Sequence, residues 1–262
     1  MIESLHSPHI ARVKALSGSR GKKERRETGS FIAEGLQFLR EAATPGSVPT
    51  IETLYLTTSG RLKIAAEGID ISQIECVDVG DNVMGAMGET VTPQGILGIC
   101  KTPSSSIEDM DVTGFSKFAY LYEIQDPGNA GTILRSADAT GFTGILTSPN
   151  SVDVYSPKVV RASAGSLWHI PVYERVDLDE LVDRWPSDCI YALSADGATS
   201  LLEVNPDGPS LWIFGNEARG LDSLPQNPKI TSVRIPMAGN AESLNLAAAA
   251  AMVFFHVTSA SS

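Results

Sequence analysis

Three stretches of the chain concentrate residue types that can do chemistry: Gln125-Asp-Pro-Gly-Asn-Ala-Gly131, Gly215-Asn-Glu-Ala-Arg-Gly220, and the run from Pro236 to Leu246. Each mixes glycine, which allows close backbone approach and positive φ, with Asn, Asp, Glu, Arg or Ser, which donate, accept or carry charge. Three such loops together suit a small-ligand site built largely from backbone. Spacing excludes several common mechanisms. Gly128 and Gly131 do not make the GxGxxG of a dinucleotide site. Gly215 to Gly220 has the GxxxxG spacing of a phosphate loop, but Leu221-Asp222 stand where Lys-Ser/Thr must be. There is no GxSxG nucleophile elbow, and His6, His9, His169 and His256 lack zinc-ligand spacing, so no metal is expected.

Such loops need a scaffold. From Lys117 onward, short apolar runs alternate with helical patterns: FAYLYEI, a helix from Ala130 to Thr140, GILTS, a helix near Pro157 to Ala164, and WHIPVYE. The order continues with DLDELVDRW as a helix, CIYALSA, LWIFG and VRIPM as strands, and ESLNLAAAAAMVFFHV as a final helix. Alternation of this kind predicts an α/β fold with a parallel sheet covered on both faces. All three loops then fall at the carboxyl ends of strands, where such sheets bind ligands. Residues 1–100 read as a separate small α/β unit. In it FIAEGLQFLREAA (Phe31 to Ala43) has helical spacing, IETLYLTT and ISQIECVDV read as strands, RLKIAAEG as a helix, and ETVTPQGILGIC as a turn and strand. Residues 101–116, rich in Ser, Pro and acids, read as a linker, and 117–262 as the second domain.

Composition narrows the class. With 20 Lys/Arg against 31 Asp/Glu the net charge is −11, which argues against indiscriminate coating of nucleic acid. Yet residues 1–26 carry seven basic residues (Arg12, Lys14, Arg20, Lys22, Lys23, Arg25, Arg26) against Glu3 and Glu24, a local +5 that leaves −16 to the rest. A basic arm on an acidic body suits contact with one particular polyanion, although the same residues could form a solvated helical face. The polar opening and the lack of an apolar run of about 20 residues predict no secretory signal and no membrane span. Cys76, Cys100 and Cys189, odd in number and widely spaced, fit a reducing cytoplasm.

DPGNAGTILRSADATGF (Asp126 to Phe142), LWIFGNEARGLD (Leu211 to Asp222) and RIPMAGNAESLNLAAAAAM (Arg234 to Met252) resemble, in order and spacing, the three motifs of the SpoU, or TrmH-like, RNA ribose 2′-O-methyltransferases of the SPOUT class. VKAL and KKERRETGSFIAEGLQFLREA resemble more loosely the L30e-like RNA substrate-binding domain that often precedes them. The resemblance implies a parallel sheet with a C-terminal trefoil knot, S-adenosyl-L-methionine as cofactor, and a homodimer that completes the site. It implies structured RNA as partner, with 23S (large-subunit) ribosomal RNA ahead of transfer RNA.

The resemblance also assigns roles. Arg135 is the position of the catalytic arginine. Its guanidinium stays protonated and is a poor base, so the expected role is to bind a phosphate and stabilise developing alkoxide charge. Asn129 would hold a loop or the ribose edge, or cap a helix. Glu217 would organise the loops and position Asn129 or Arg135, while Ser243 and Asn245 would cap the last helix and reach cofactor or ribose. Gly215, Ile235 and Leu244 match cofactor-contact positions, with Met237, Leu193, Ser194 and Ala195 as neighbours. Arg12, Lys14, Lys22, Lys23, Arg25 and Arg26 are the expected RNA contacts, with Arg161 and Arg219 as further candidates. Two other classes stay open: a non-catalytic RNA-binding assembly factor and a small-molecule methyltransferase.

Overall fold

The computed structural model describes residues 1–17, 21–186, 188–206, 208–222, 224 and 227–259; Arg20, counted with the basic arm, lies outside them. The chain forms two compact units, one of residues 1–104 with 153–169 and the other of residues 105–152 with 170–262.

In the first unit, α1 (Pro8–Ser17) and α2 (Gly21–Thr28) precede β1 (Ser30–Glu34), α3 (Leu36–Ala42), β2 (Ile51–Leu56), α4 (Thr58–Glu67), β3 (Cys76–Asp78), α5 (Asp81–Met87) and β4 (Ile96–Lys101). The sheet runs β1-β4-β2-β3; β4 is antiparallel to both its neighbours and β2 is parallel to β3. Ile10, Val13 and Leu16, spaced to share one face of α1, pack with Ile32, Tyr55, Val83, Leu97 and Ile99. The helix expected over Phe31 to Ala43 is two elements. Phe31, Ile32 and Ala33 are buried and pair with Cys100, Ile99 and Gly98, and Gly35, at φ 96°, turns the chain into α3. The strand expected over ISQIECVDV shortens to β3, and α5 is an addition to the expected elements.

Arg25 is not available to RNA. Its side chain is 7% exposed and its guanidinium donates to Asp153 Oδ2 from Nε at 2.8 Å, with Nη2 at 2.6 Å, and to the Leu16 carbonyl. Gly21 makes room, since a Cβ there would meet Arg25 and the Leu16 carbonyl. The other basic positions stay at the surface: Lys14, Lys23 and Arg26 are exposed, Lys22 is half-buried, and Arg12 pairs with Glu52 at 3.0 Å.

The second unit begins with a 3-10 turn (Ile107–Asp109), and Ile107, Met110 and Val112 of the expected linker pack against its core. Then come β5 (Lys117–Leu121), α6 (Pro127–Ala139) and β6 (Gly144–Thr147). Residues 153–169, with α7 (Pro157–Ala162), belong to the first unit, so the stretch 117–262 is divided between the two units. There Phe31 lies 5.0 Å from Tyr155 and 6.1 Å from Trp168, and the Trp168 indole donates to the Pro49 carbonyl at 2.8 Å. The second unit resumes with β7 (Val172–Tyr173), α8 (Leu178–Arg184), β8 (Ile190–Leu193), β9 (Thr199–Ser200), β10 (Ser210–Phe214), β11 (Ile230–Arg234) and α9 (Leu246–Ser259). The strand expected over WHIPVYE is only β7, because Trp168 lies in a 3-10 turn of the first unit.

Among the described residues the strands of this unit form one parallel sheet, in the order β7-β6-β5-β10-β8-β11-β9. Phe118 to Leu121 and Leu211 to Phe214 are almost wholly buried because both faces of the sheet are covered. On one face Tyr120, Leu146, Leu181, Val182 and Trp185 form a core around α8. On the other, α6 packs on α9, with Phe142 4.1 Å and Phe214 5.5 Å from Phe254. The sheet progresses outward through β6 and β7 on one side of β5, and β10 and β8 lie on the other. The strand order therefore reverses at β5, and ligands of open α/β sheets bind beyond the carboxyl ends at such a point. Among the described residues, no helix is long and apolar enough to cross a membrane.

Candidate cofactor and catalytic site

The loops after β5, β8, β10 and β11 all leave carboxyl ends of neighbouring strands, and in the second unit they enclose a cavity of about 560 Å³. It is lined by Asn129, Leu193, Ser194, Ala195, Gly215, Glu217, Ile235, Met237, Ser243, Leu244 and Asn245, together with Asn216, Ala218, Gly220, Leu246 and Ala249. Every expected cofactor position is in this wall, as are four of the five expected catalytic residues.

Arg135 is the exception. It is exposed, lies outside the cavity wall, and its side chain has no hydrogen bond or ion pair among the described residues. In the single chain Asn129 lines the cavity and Arg135 does not, for a geometric reason. Six residues of helix turn the side chain about 120° away from that of Asn129.

Glu217 ties the first two loops together. Its carboxylate accepts from the backbone N–H of Gln125 (3.1 Å) and Asp126 (2.9 Å) and from Asn129 Nδ2 (3.3 Å). A negative charge is well placed there, at the positive end of α6. Asp126 is the N-cap of α6, accepting from the Asn129 N–H at 2.8 Å, and Pro127 occupies the first turn. Asn129 therefore does not cap. Its side chain bridges instead, with Oδ1 accepting from Asn245 Nδ2 at 3.1 Å. Asn245 Oδ1 in turn accepts from the N–H groups of Ala247 and Ala248, so Asn245 caps α9, whereas Ser243 lies three residues before the helix begins. Donor directions along this line follow from its ends. A carboxylate only accepts and a helix N-terminus only donates, which fixes both amides. Glu217 positions Asn129 and does not touch Arg135.

The other walls are held by backbone. Gly215 must be glycine, because a Cβ would run into the Gly220 carbonyl, and Asn216 and Gly220 exchange N–H···O bonds at 2.8 Å in both directions. The Ser194 N–H donates to Val233 O at 2.9 Å, and Arg234 Nη1 donates to the carbonyls of Gly197 (2.8 Å) and Ala198 (2.7 Å), which locks the β8 loop to β11. The Ser194 hydroxyl donates to Asp196, and that bond holds the Asp196 carboxyl below the usual carboxylate range. Burial pushes the Cys100 thiol up, consistent with an inert core residue. Asn216, inside the second motif, is a further residue of this wall to which the sequence pattern gives no role. An Asx residue directly after the obligatory glycine was the available signal, since its Oδ1 accepts from the Ala218 and Arg219 N–H groups.

A reversal-point cavity walled by four strand-end loops, with Asn and Glu side chains bridging them, defines an α/β enzyme site for a small organic cofactor. The sequence profile of the SpoU rRNA Methylase family matches residues 117–255, and that of the MRM3-like substrate binding domain matches residues 10–98. The chain belongs to the SpoU rRNA Methylase family. It is 29% identical, over 98% of its own length and 99% of the other, to the 23S rRNA (guanosine(2553)-2′-O)-methyltransferase RlmP of Bacillus subtilis. It is also 29% identical to the 23S rRNA (uridine(2479)-2′-O)-methyltransferase of Streptomyces viridochromogenes, over 92% of this chain and 86% of that protein. Among solved structures, an AdoMet-bound rRNA methyltransferase from Sinorhizobium meliloti superposes with a TM-score of 0.83 at 30% identity, covering 97% of this chain and 95% of that one.

Proposed function

We propose that this protein transfers a methyl group from S-adenosylmethionine to a ribose 2′-hydroxyl of large-subunit ribosomal RNA. The observation that carries the reading is the cavity whose wall contains all seven expected cofactor positions. The residues present fit the cofactor. The volume is in the range of small-molecule sites. Leu193, Ile235, Met237 and Leu244 offer apolar surface to a purine, and Gly215 and Gly220 offer backbone. Among the described residues Glu217 is the only charged one lining the cavity, so a cationic sulfonium meets no like charge from them. When bound, the cofactor supplies an electrophilic methyl group whose carbon–sulfur bond breaks as the ribose oxygen bonds to carbon and loses its proton.

Asn129, Ser243 and Asn245 hold the ribose edge at the cavity mouth. Arg135 stays protonated, so it binds an adjacent phosphate and stabilises the oxygen as its proton passes to phosphate or another acceptor. Ala substituted at Gly215 must break the Asn216–Gly220 pair, so cofactor affinity measured by calorimetric titration should fall about tenfold to a hundredfold. An unchanged affinity contradicts the assignment of that loop.

The C-terminal segment forms the family's trefoil knot, and a second copy of the chain completes the site and receives the exposed Arg135. In support, α9 exposes Ala248, Met252 (48%) and Phe255 (70%) at spacings that share one face, an apolar stripe suited to a homodimer. Sedimentation should give twice the chain mass, and the pair Met252→Glu, Phe255→Glu should give a monomer; a monomeric unsubstituted protein contradicts the dimer. The first unit, with Arg12, Lys14, Lys22, Lys23 and Arg26 at its surface, meets the RNA, and the protein works in the cytoplasm. Mapping 2′-O-methyl positions in total RNA with and without this protein tests the reading. Loss of one ribosomal position supports it, whereas loss of a transfer RNA position would move the substrate to that class.

A further inference from the structure

We infer that Glu123 is a positioning residue for the cofactor cavity, acting through the loop from Asn216 to Gly220; the inference rests on the cofactor reading above. Glu123 follows β5 at φ 53°, a left-handed conformation that glycine or asparagine holds more cheaply than glutamate. A residue kept there against its preference indicates that the side chain is what the position needs.

The contacts say what it is used for. The Glu123 N–H donates to Ser148 Oγ at 2.8 Å, and its carbonyl accepts from Asn216 Nδ2 at 2.8 Å and Gln125 Nε2 at 3.1 Å. Its carboxylate accepts from Arg219 Nη2 at 2.8 Å and Asn150 Nδ2 at 3.4 Å, and is 16% exposed. One residue thus grips the β10 loop at Asn216 and at Arg219, on either side of Glu217. It also holds Gln125, whose N–H Glu217 binds. Glu123 itself does not line the cavity. Its charge is satisfied by Arg219, so Arg219 serves the loop before it serves any RNA phosphate.

The test compares Glu123→Gln, Glu123→Gly, Arg219→Gln and the double variant Glu123→Gln, Arg219→Gln, by titrating S-adenosylmethionine into the full-length protein and by measuring KM and kcat. Each single variant should bind cofactor about fivefold more weakly, the size expected for a part-exposed ion pair. KM for cofactor should rise more than kcat falls, and the double variant should be no worse than Arg219→Gln alone. Glu123→Gly should keep its melting temperature, because it relieves the left-handed backbone, while still losing affinity. Unchanged affinity in both Glu123 variants, additive losses in the double variant, or losses that only track melting temperature would overturn the inference. Failure of the unsubstituted protein to bind S-adenosylmethionine would instead overturn the cofactor reading beneath it.

Discussion

Replacing Arg135 by alanine is expected to lower methyl transfer about a thousandfold, the scale seen when one charge-stabilising donor is removed from a reaction centre. Folding should be untouched. Arg135 is exposed and its side chain has no hydrogen-bond or ion-pair partner among the described residues, so its loss removes no such interaction within the chain. Cofactor affinity should also hold, because the residue is outside the cavity wall. A structural salt bridge would predict the opposite pattern, a lower melting temperature with modest kinetic change. Arg135→Lys should retain part of the rate, since lysine keeps the charge and loses the planar fork that matches a phosphate. Steady-state turnover with RNA saturating checks both variants, and near-unsubstituted rates in the two would remove Arg135 from the reaction.

Arg25→Ala is expected to lower the free energy of unfolding by about 3–5 kcal/mol, because it leaves the Asp153 carboxylate buried without its counter-charge. The Leu16 carbonyl loses a charged donor at the same time. Replacing both members with apolar residues, Arg25→Met with Asp153→Leu, should recover most of the loss, since neither charge then has to be buried. Urea unfolding measures these differences. RNA binding offers an independent check. Lys14→Ala or Arg26→Ala should each reduce the salt slope of binding by about one, whereas the doubly substituted Arg25→Met, Asp153→Leu protein should keep it. A stable Arg25→Ala variant with a reduced salt slope would restore Arg25 to the RNA-binding set.

The difference between Arg25 and its neighbours shows where the sequence stops being informative. In GKKERRE every charge looks solvated, and nothing local reports that one guanidinium is aimed inward at a carboxylate 128 residues away. The same distance effect hides β1. Phe31, Ile32 and Ala33 fit a short helical pattern as well as a strand, and the partner that decides, β4, is some 70 residues further on. By contrast FAYL and LWIF were readable as central strands because burial on both faces removes polar residues altogether.

The cavity was readable for a related reason. A loop that surrounds a ligand closely needs glycine and short polar side chains, and those types stand out wherever they cluster after an apolar run. What the pattern did not reveal was connectivity. Glu217 serves Asn129, Asn245 takes the capping role shared with Ser243 in the sequence expectation, and Arg135 turns away from both. Glu123 had one visible sign, a charge inside the apolar run FAYLYEI, whose meaning depends on a backbone angle and on Arg219 almost a hundred residues later.

The most direct test is to incubate the purified protein with methyl-labelled S-adenosylmethionine and large-subunit ribosomal RNA, digest the RNA to nucleosides, and locate the label. A single 2′-O-methylnucleoside, formed by the unsubstituted protein and lost with Arg135→Ala, is the expected result. Cofactor binding without label in any RNA, or label carried on a base, would contradict ribose methylation.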